Sequence, residues 1–173
     1  MRHYICLVYA WLVRLIFSWL PDQKSIMQFR GFCYSLVMPS SPKNFQVAST
    51  TILRNLENLH VGNNVYIAPG AIVNAIDSIV IEDEVMIAFN SVITSGNHTM
   101  LKGSYRFGVS NKLPILIKKG SWVAANCTVV AGSVIEEGCL IAANSLARGV
   151  CQKYGIYSGV PVKLLRKIKV MDE

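Results

Sequence analysis

A large aliphatic residue recurs every six positions along most of this chain: Val61, Ile67 and Val73, then Ile81, Ile87 and Ile93, then Ile117, Val123, Val129, Ile135 and Ile141. The frame slips by two between Val73 and Ile81. The 24-residue interval from Ile93 to Ile117 keeps the multiple of six but has no aliphatic marker inside it. Two further columns follow the same frame. Four residues after most markers stands a small or β-branched residue: Val65, Ala71, Val85, Ser91, Ser121, Cys127, Ser133, Cys139 and Ser145. Three residues after stands Asn or Gly: Asn64, Gly70, Asn90, Gly96, Gly120, Asn126, Gly132, Gly138 and Asn144, with Ile76 and Glu84 as the exceptions.

Each column has a physical cause. The aliphatic marker fills a narrow interior. The Asn or Gly sits where the backbone turns a corner with φ > 0, which those residues tolerate. The small residue fits the tight site after the corner. A period of six does not match the 3.6 of a helix, and the segment is rich in Val, Ile and Gly but poor in the best helix formers. Such hexads fold as short strands, three to a coil, each coil stacked on the last. The expected fold is therefore an all-β parallel β-helix; its handedness does not follow from the pattern.

The first 44 residues follow another pattern. Residues 4–20 are apolar except for Arg14 and Ser18, too short and too charged for a comfortable membrane span. Pro21 should end this helix, and no small-residue cleavage site follows, so a signal peptide is not expected. Two readings stay open. The helix packs on the solenoid or on another subunit, or it lies in a membrane interface with Arg2, Arg14, Lys24 and Arg30 meeting anionic headgroups. Residues 28–37 read as a second short helix, and residues 38–44 as a Pro/Ser-rich connection. The division is thus an apolar helical segment and linker over 1–44 and a β-helix domain over 45–173, with a loop over 99–114 and a short C-terminal helix over about 161–170.

Composition narrows the setting. Of 173 residues, 52% are hydrophobic, so part of the apolar surface is expected to meet a partner subunit or membrane. The net charge of +7 suits a phosphorylated small molecule or an anionic membrane. No Lys/Arg run with interleaved aromatics is present, which argues against nucleic acid. The cysteines number five, and they lack metal-ligand spacing. No disulfide framework and no metal site are expected, and a reducing, cytoplasmic setting fits best. Cys127 and Cys139 fall in the small-residue column and read as core filler.

The candidate chemistry lies where the repeat breaks. Ile93-Thr94-Ser95-Gly96-Asn97-His98 ends a hexad, and the following loop carries Tyr105 and Arg106. A long loop thrown out of a rigid solenoid is where function usually sits. An imidazole that changes charge near neutral pH can take a proton from a hydroxyl as it attacks a thioester carbonyl, then pass it to the departing thiolate. The oxyanion needs a hydrogen-bond donor, and no covalent enzyme intermediate is required.

The hexads, together with Ser95-Gly96-Asn97-His98-Thr99, Ser121-Trp122-Val123 and Gly159-Val160-Pro161-Val162-Lys163-Leu164-Leu165-Arg166, resemble the hexapeptide-repeat acyltransferases over about residues 45–170. Within that superfamily the likeness is to polysaccharide-biosynthesis O-acetyltransferases and the galactoside/maltose acetyltransferase type. The resemblance implies a left-handed β-helix, a homotrimer with sites at subunit interfaces, and acetyl-CoA as acyl donor, without a metal. It implies His98 as catalytic base, with Asn97, Tyr105 and Arg106 toward the saccharide acceptor. It places CoA along Trp122, Ala125, Ala143, Ser145, Arg148, Lys163, Arg166 and Lys167. The sequence departs from the family twice. The position matching its usual second Asn is near Ala68, with Asn74 and Asn90 close in the frame, and its usual late Lys is Gly149, one residue after Arg148.

The expected function is acetyl-CoA-dependent O-acetylation of a saccharide, in capsule, exopolysaccharide or lipopolysaccharide biosynthesis. The acceptor is expected to be a glycan or lipid-linked saccharide, and residues 4–20 to give peripheral contact with the inner membrane face. N-acetylation of an amino sugar or a xenobiotic, and a scaffolding β-helix without catalysis, are the alternatives. A zinc carbonic anhydrase on the same scaffold would need three histidine ligands, and His3, His60 and His98 are too scattered to supply them.

Overall fold

The computed structural model describes residues 2–169, with side chains from residue 3. Its body is a β-helix of three parallel faces. The first face runs through Gln46–Val47, Tyr66–Ile67, Met86–Ile87, Trp122–Val123, Leu140–Ile141 and Gly155–Gly159. The second runs through Ile52–Arg54, Ile72–Asn74, Val92–Thr94, Thr128–Val130 and Leu146–Ala147. The third runs through Leu59–Val61, Ile79–Ile81, Ile115–Ile117, Val134–Ile135 and Val150–Cys151. The described residues thus complete five coils and begin a sixth.

Register explains the sixfold marker. Val47, Ile67, Ile87, Val123, Ile141 and Tyr157 stand directly above one another. So do Leu53, Val73, Ile93, Val129 and Ala147, and likewise Val61, Ile81, Ile117, Ile135 and Cys151. All of these side chains are buried. Each is held by its neighbours above and below and by the other two columns.

The corners follow the Asn/Gly column with instructive departures. Asn64, Gly70, Asn90, Gly120, Asn126, Gly132, Gly138 and Asn144 all have φ between 57° and 80°. Glu84 takes the same left-handed conformation at φ 62°, and Tyr154 does so at φ 58°. The small column behind the corners is buried, and its serines satisfy corner carbonyls: Ser91 Oγ donates to Ala124 O at 2.7 Å and Ser121 Oγ to Glu136 O at 2.9 Å. Cys127 Sγ does the same toward Ala142 O at 3.0 Å.

Gly96 is a correction. Its φ is not positive; it opens a strand, Gly96–His98, and a Cβ there would strike the Ile76 side chain. Glycine here leaves room for the Ile76 side chain and does not form a corner.

The corner between the second and third faces is the variable one. Eight residues separate Leu53 from Val61 and Val73 from Ile81, 24 separate Ile93 from Ile117, six separate Val129 from Ile135, and four separate Ala147 from Cys151. The two-residue slip is therefore a feature of this corner in both of the first coils, and the long excursion is its third-coil form.

Two helices close the N-terminal end. α1 (Arg2–Phe17) and α2 (Lys24–Ser35) put Ala10, Val13 and Tyr34 into the same core as Val47 and Leu53. α2 starts at Lys24, four residues before the expected position. α1 lies across the open coil. His3 near its start meets Glu57 at 2.6 Å. At and just past its end, the Phe17 and Leu20 carbonyls accept from Arg30 Nη2 at 3.2 Å. Arg30 also pairs with Asp22 at 3.1 Å and donates to Val47 O. It is 1% exposed, so it fastens the cap to the coil and does not face headgroups, as the sequence alone had allowed. The Arg2 side chain lies outside the described residues.

The expected C-terminal helix is also corrected. Val162–Lys167 is a strand antiparallel to Gly155–Gly159, with Ser158 opposite Lys163 and Ile156 opposite Arg166. The open edge of the last coil supplies unpaired backbone groups, and this pairing satisfies them. The cations on the new edge discourage further strand addition. Residue 170, the expected end of that helix, lies outside the described residues.

Truncating one level of a stack leaves a void that its neighbours cannot close. Ile87→Ala is expected to cost about 2–5 kcal/mol in chemical denaturation. Met86→Ala, whose side chain points outward, is expected to cost well under half of that.

Candidate active site

The third-coil excursion is a β-hairpin. Gly96–His98 pairs antiparallel with Ser110–Lys112, in the register Gly96 with Lys112, Asn97 with Asn111 and His98 with Ser110. Buried Ser95 fixes its root: Ser95 Oγ donates to Asp77 O and accepts the Asp77 N–H, both at 2.9 Å, and Ser95 O accepts the Leu113 N–H at 3.0 Å. The hairpin therefore grows from a point tied to the coil below. Farther out, Thr99 Oγ1 donates to Val109 O at 2.6 Å, and Leu101 and Ser104 exchange two backbone hydrogen bonds across Lys102 and Gly103, both at positive φ.

Strand alternation divides the hairpin into two faces. Asn97 and Asn111 share one face. They line a concavity of about 310 Å³ with Leu113, Val130, Ala131, Leu146 and Arg148. Two of the candidates from sequence, Asn97 and Arg148, are thus brought together, and Asn111 joins them.

His98 lies on the other face with Gly96, whose missing Cβ looks toward Ile76 one coil below. Ile76 in turn borders a polar hollow of about 360 Å³ with His3, Arg54, Asn55, Asn58 and Asn74. Asn55 Nδ2 donates to Asn74 Oδ1 at 2.9 Å, and Asn58 Nδ2 donates to the Ala75 carbonyl at 3.0 Å. The imidazole of His98 is exposed, and its backbone N–H donates to Asn97 Oδ1 at 3.0 Å.

The two asparagines that stood near Ala68 in the frame separate clearly. Asn90 is a corner residue. Asn74 projects from the second face, one coil below Thr94 where the hairpin begins, and is the polar residue better placed toward the His98 side. Ala68 itself is fully buried. Sequence reasoning missed Arg54, Asn55 and Asn58. Their signal was the two-residue slip, which occurs twice and widens this corner.

The other candidates lie elsewhere on the single chain. Tyr105 and Arg106 are exposed on the outer part of the excursion, where the Arg106 guanidinium sits 5.9 Å from the Phe107 ring centre. Trp122 projects from the first face between Met86 and Leu140. Ala125 and Ala143 stand one coil apart at the corner between first and second faces, where Asn144 N–H donates to Ala125 O at 3.0 Å. Ser145 is buried and its hydroxyl accepts the Gly159 N–H at 3.1 Å. Lys163, Arg166 and Lys167 are exposed on the last strand of the first face.

Three of the cysteines are poor nucleophiles. Burial pushes the Cys127 and Cys139 thiols up, and it takes Cys151 to about 12. Among the described residues no three His, Cys, Asp or Glu side chains converge as metal ligands.

A β-helix built from hexads is also the fold of solved hexapeptide-repeat acetyltransferases. The chain superposes on the maltose O-acetyltransferase from Clostridium difficile 630 with a TM-score of 0.83, 22% identity, and 98% and 87% coverage of the two chains. It superposes equally, at 0.83, on the hexapeptide-repeat acetyltransferase VCA0836 of Vibrio cholerae in complex with acetyl coenzyme A, with 16% identity and 96% and 89% coverage. At these identities the structures establish the fold.

In sequence the chain is 30% identical over 120 residues to WbbJ of Escherichia coli K12, named as a lipopolysaccharide biosynthesis O-acetyl transferase; the match covers 64% of this chain and 58% of WbbJ. The chain spans less than two thirds of the length of the curated relatives it matches. No family model matches it. The likeness read from the hexads is thus matched both in fold and in sequence.

Treatment of the native chain with iodoacetamide at mildly alkaline pH is expected to leave Cys127, Cys139 and Cys151 unmodified by peptide mass analysis, because the thiolate is the reactive form and burial disfavours it. Labelling of any of the three in the folded protein would contradict the packing described.

Proposed function

We propose that the chain is an acetyl-CoA-dependent O-acetyltransferase acting on a saccharide hydroxyl in capsule, exopolysaccharide or lipopolysaccharide biosynthesis, with His98 as general base. The observation that carries this reading is the Ser95-anchored hairpin, which holds an exposed imidazole at the one corner where the coil is interrupted. The similarity to WbbJ supports the saccharide and the O-linked transfer. Residues 1–44 act as cap and residues 45–173 as the transfer domain.

In the proposed step the acceptor O–H gives its proton to the His98 imidazole while its oxygen bonds to the thioester carbonyl carbon. The tetrahedral intermediate collapses with cleavage of the C–S bond, and the imidazolium returns the proton to the departing CoA thiolate. The acetyl group ends on the saccharide oxygen, and CoA leaves as the thiol. A backbone N–H or amide donor must stabilise the oxyanion. Asn97 and Asn111 lie on the face of the hairpin opposite His98, so that donor must come from another group. The Asn74 hollow, on the side of His98, offers hydroxyl-binding amides for the acceptor, and Tyr105 and Arg106 lie farther out along the same excursion.

The positions of the CoA candidates support a site shared between copies in a homotrimer. Trp122 and the Lys163–Arg166–Lys167 edge belong to the first face, whereas His98 and Arg148 belong to the corner between second and third. One extended ligand touching both sets is most simply met by the first face of one copy lying beside that corner of another. For the proposed enzyme we infer a cytoplasmic location, which its acyl-CoA donor supports.

His98→Ala is expected to lower acetyl-CoA turnover with a saccharide acceptor by about 10²–10⁴-fold in kcat, the usual worth of a positioned base, with an unchanged circular dichroism spectrum. Unchanged turnover would leave a scaffolding β-helix as the better reading. Trp122→Ala is expected to raise KM for acetyl-CoA with a smaller effect on kcat, read by thiol release.

A further inference from the structure

The outer side of the N-terminal cap has no partner within the chain. α1 buries Cys6, Ala10 and Val13 on one stripe, at helical spacing, and turns Tyr4, Ile5, Val8, Trp11, Leu15 and Trp19 with its following turn outward. α2 continues this surface with Phe29, Phe32 and Leu36, all more than half exposed. An apolar area of this extent is uncommon on a free soluble surface.

Its charge is one-sided. No acidic residue precedes Asp22, and Asp22 is held by Arg30 and by the Ser49 N–H. Lys24 is exposed at the rim. Arg14 and Arg54 line a hollow of about 370 Å³ beside Trp11 and Tyr34, and no carboxylate lies within salt-bridge distance of either among the described residues. Two guanidiniums beside an indole, open at the edge of an apolar face, suit a phosphate group attached to an acyl chain.

Trp and Tyr among aliphatics, with cations at the rim, is the composition of a helix lying in a bilayer interface. No helix among the described residues is long and apolar enough to cross a membrane. A symmetric contact with a second copy fits less well, because both sides of it would carry Lys24 and Arg14 while the nearby Asp22 is already paired with Arg30.

We propose that the outer face of α1 and α2 docks on an anionic phospholipid surface, with Arg14 and Arg54 on lipid phosphate, and so holds His98 over a saccharide carried on a lipid. The saccharide part rests on the acetyl-transfer reading; the docking part does not. The geometry is simple. A helix layer is about 10 Å thick and successive strands lie about 4.8 Å apart, so the third-coil hairpin stands about 20 Å above the docked face. That height favours a saccharide displayed above the headgroups over a group buried among them.

The test uses the full chain in flotation with vesicles of phosphatidylcholine alone or mixed with phosphatidylglycerol. Flotation with the mixed vesicles, weakened by salt, is expected; absence of flotation with both overturns the proposal. The variant Ile5→Glu/Trp19→Glu is expected to lose binding by about tenfold or more while keeping its unfolding midpoint and its soluble-acceptor turnover. Arg14→Gln/Arg54→Gln is expected to reduce binding only to the anionic vesicles, and equal binding removes the phosphate role.

Quenching of Trp11 and Trp19 fluorescence in the unmodified chain by brominated lipid needs no variant, and its absence also overturns docking. If Ile5→Glu/Trp19→Glu instead lowers the oligomeric state in sedimentation and vesicle binding is absent, the face is an interface between copies. Vesicle binding that persists while His98→Ala leaves turnover intact would retain the docking and remove the transfer reading.

Discussion

Parallel stacking of like residues at each corner and each core level is the constraint on which the structure depends. A coil can repeat only if its aliphatic residue sits directly over the one below, and the chain can turn three times per coil only if each corner accepts a left-handed residue. The Val47, Leu53 and Val61 columns meet the first condition. Asn64, Gly70, Asn90 and their successors meet the second, and Glu84 and Tyr154 show that the fold imposes that conformation even on residues that do not favour it. Serines behind the corners then satisfy carbonyls that would otherwise be buried and unpaired.

This rigidity confines the large deviations to one corner. The corner between the second and third faces tolerates eight, 24, six or four residues between core markers, because extra chain there leaves the stack untouched. In the first two coils the extra residues widen the corner and gather Asn55, Asn58 and Asn74. In the third they become the hairpin that carries Asn97 and His98 on opposite faces. The His98 imidazole, the hairpin asparagines and a polar hollow thus arise at successive levels of one corner, and Ser95 ties the hairpin to the coil below.

The core was legible in the sequence because its period is local: all eleven markers from Val61 to Ile141 are buried. The ends were not. Val47 and Leu53 precede a corner with a 3₁₀ turn at Leu56–Asn58, and the last two coils use Ala147, Cys151 and Tyr157, which do not read as aliphatic markers. The strand Val162–Lys167 reads as a helix because Lys, Leu and Arg suit one; the open edge that recruits it is a tertiary feature. Gly96 follows the corner column by spacing alone, and only the structure shows that it opens a strand beside Ile76. His98 and Asn97 were legible as a motif, but their separation onto two faces depends on the hairpin register, and the companion residues Arg54, Asn55 and Asn58 are gathered only by the coil.

A structure of the chain with CoA bound gives the most direct measurement of whether this corner is the reaction centre. The expected result is the CoA sulfur within about 3–4 Å of the His98 imidazole, as a near-attack arrangement requires, with the rest of the cofactor running toward Trp122 of a neighbouring copy. A thiol seated away from His98, or beside a different corner of the β-helix, would contradict the central claim.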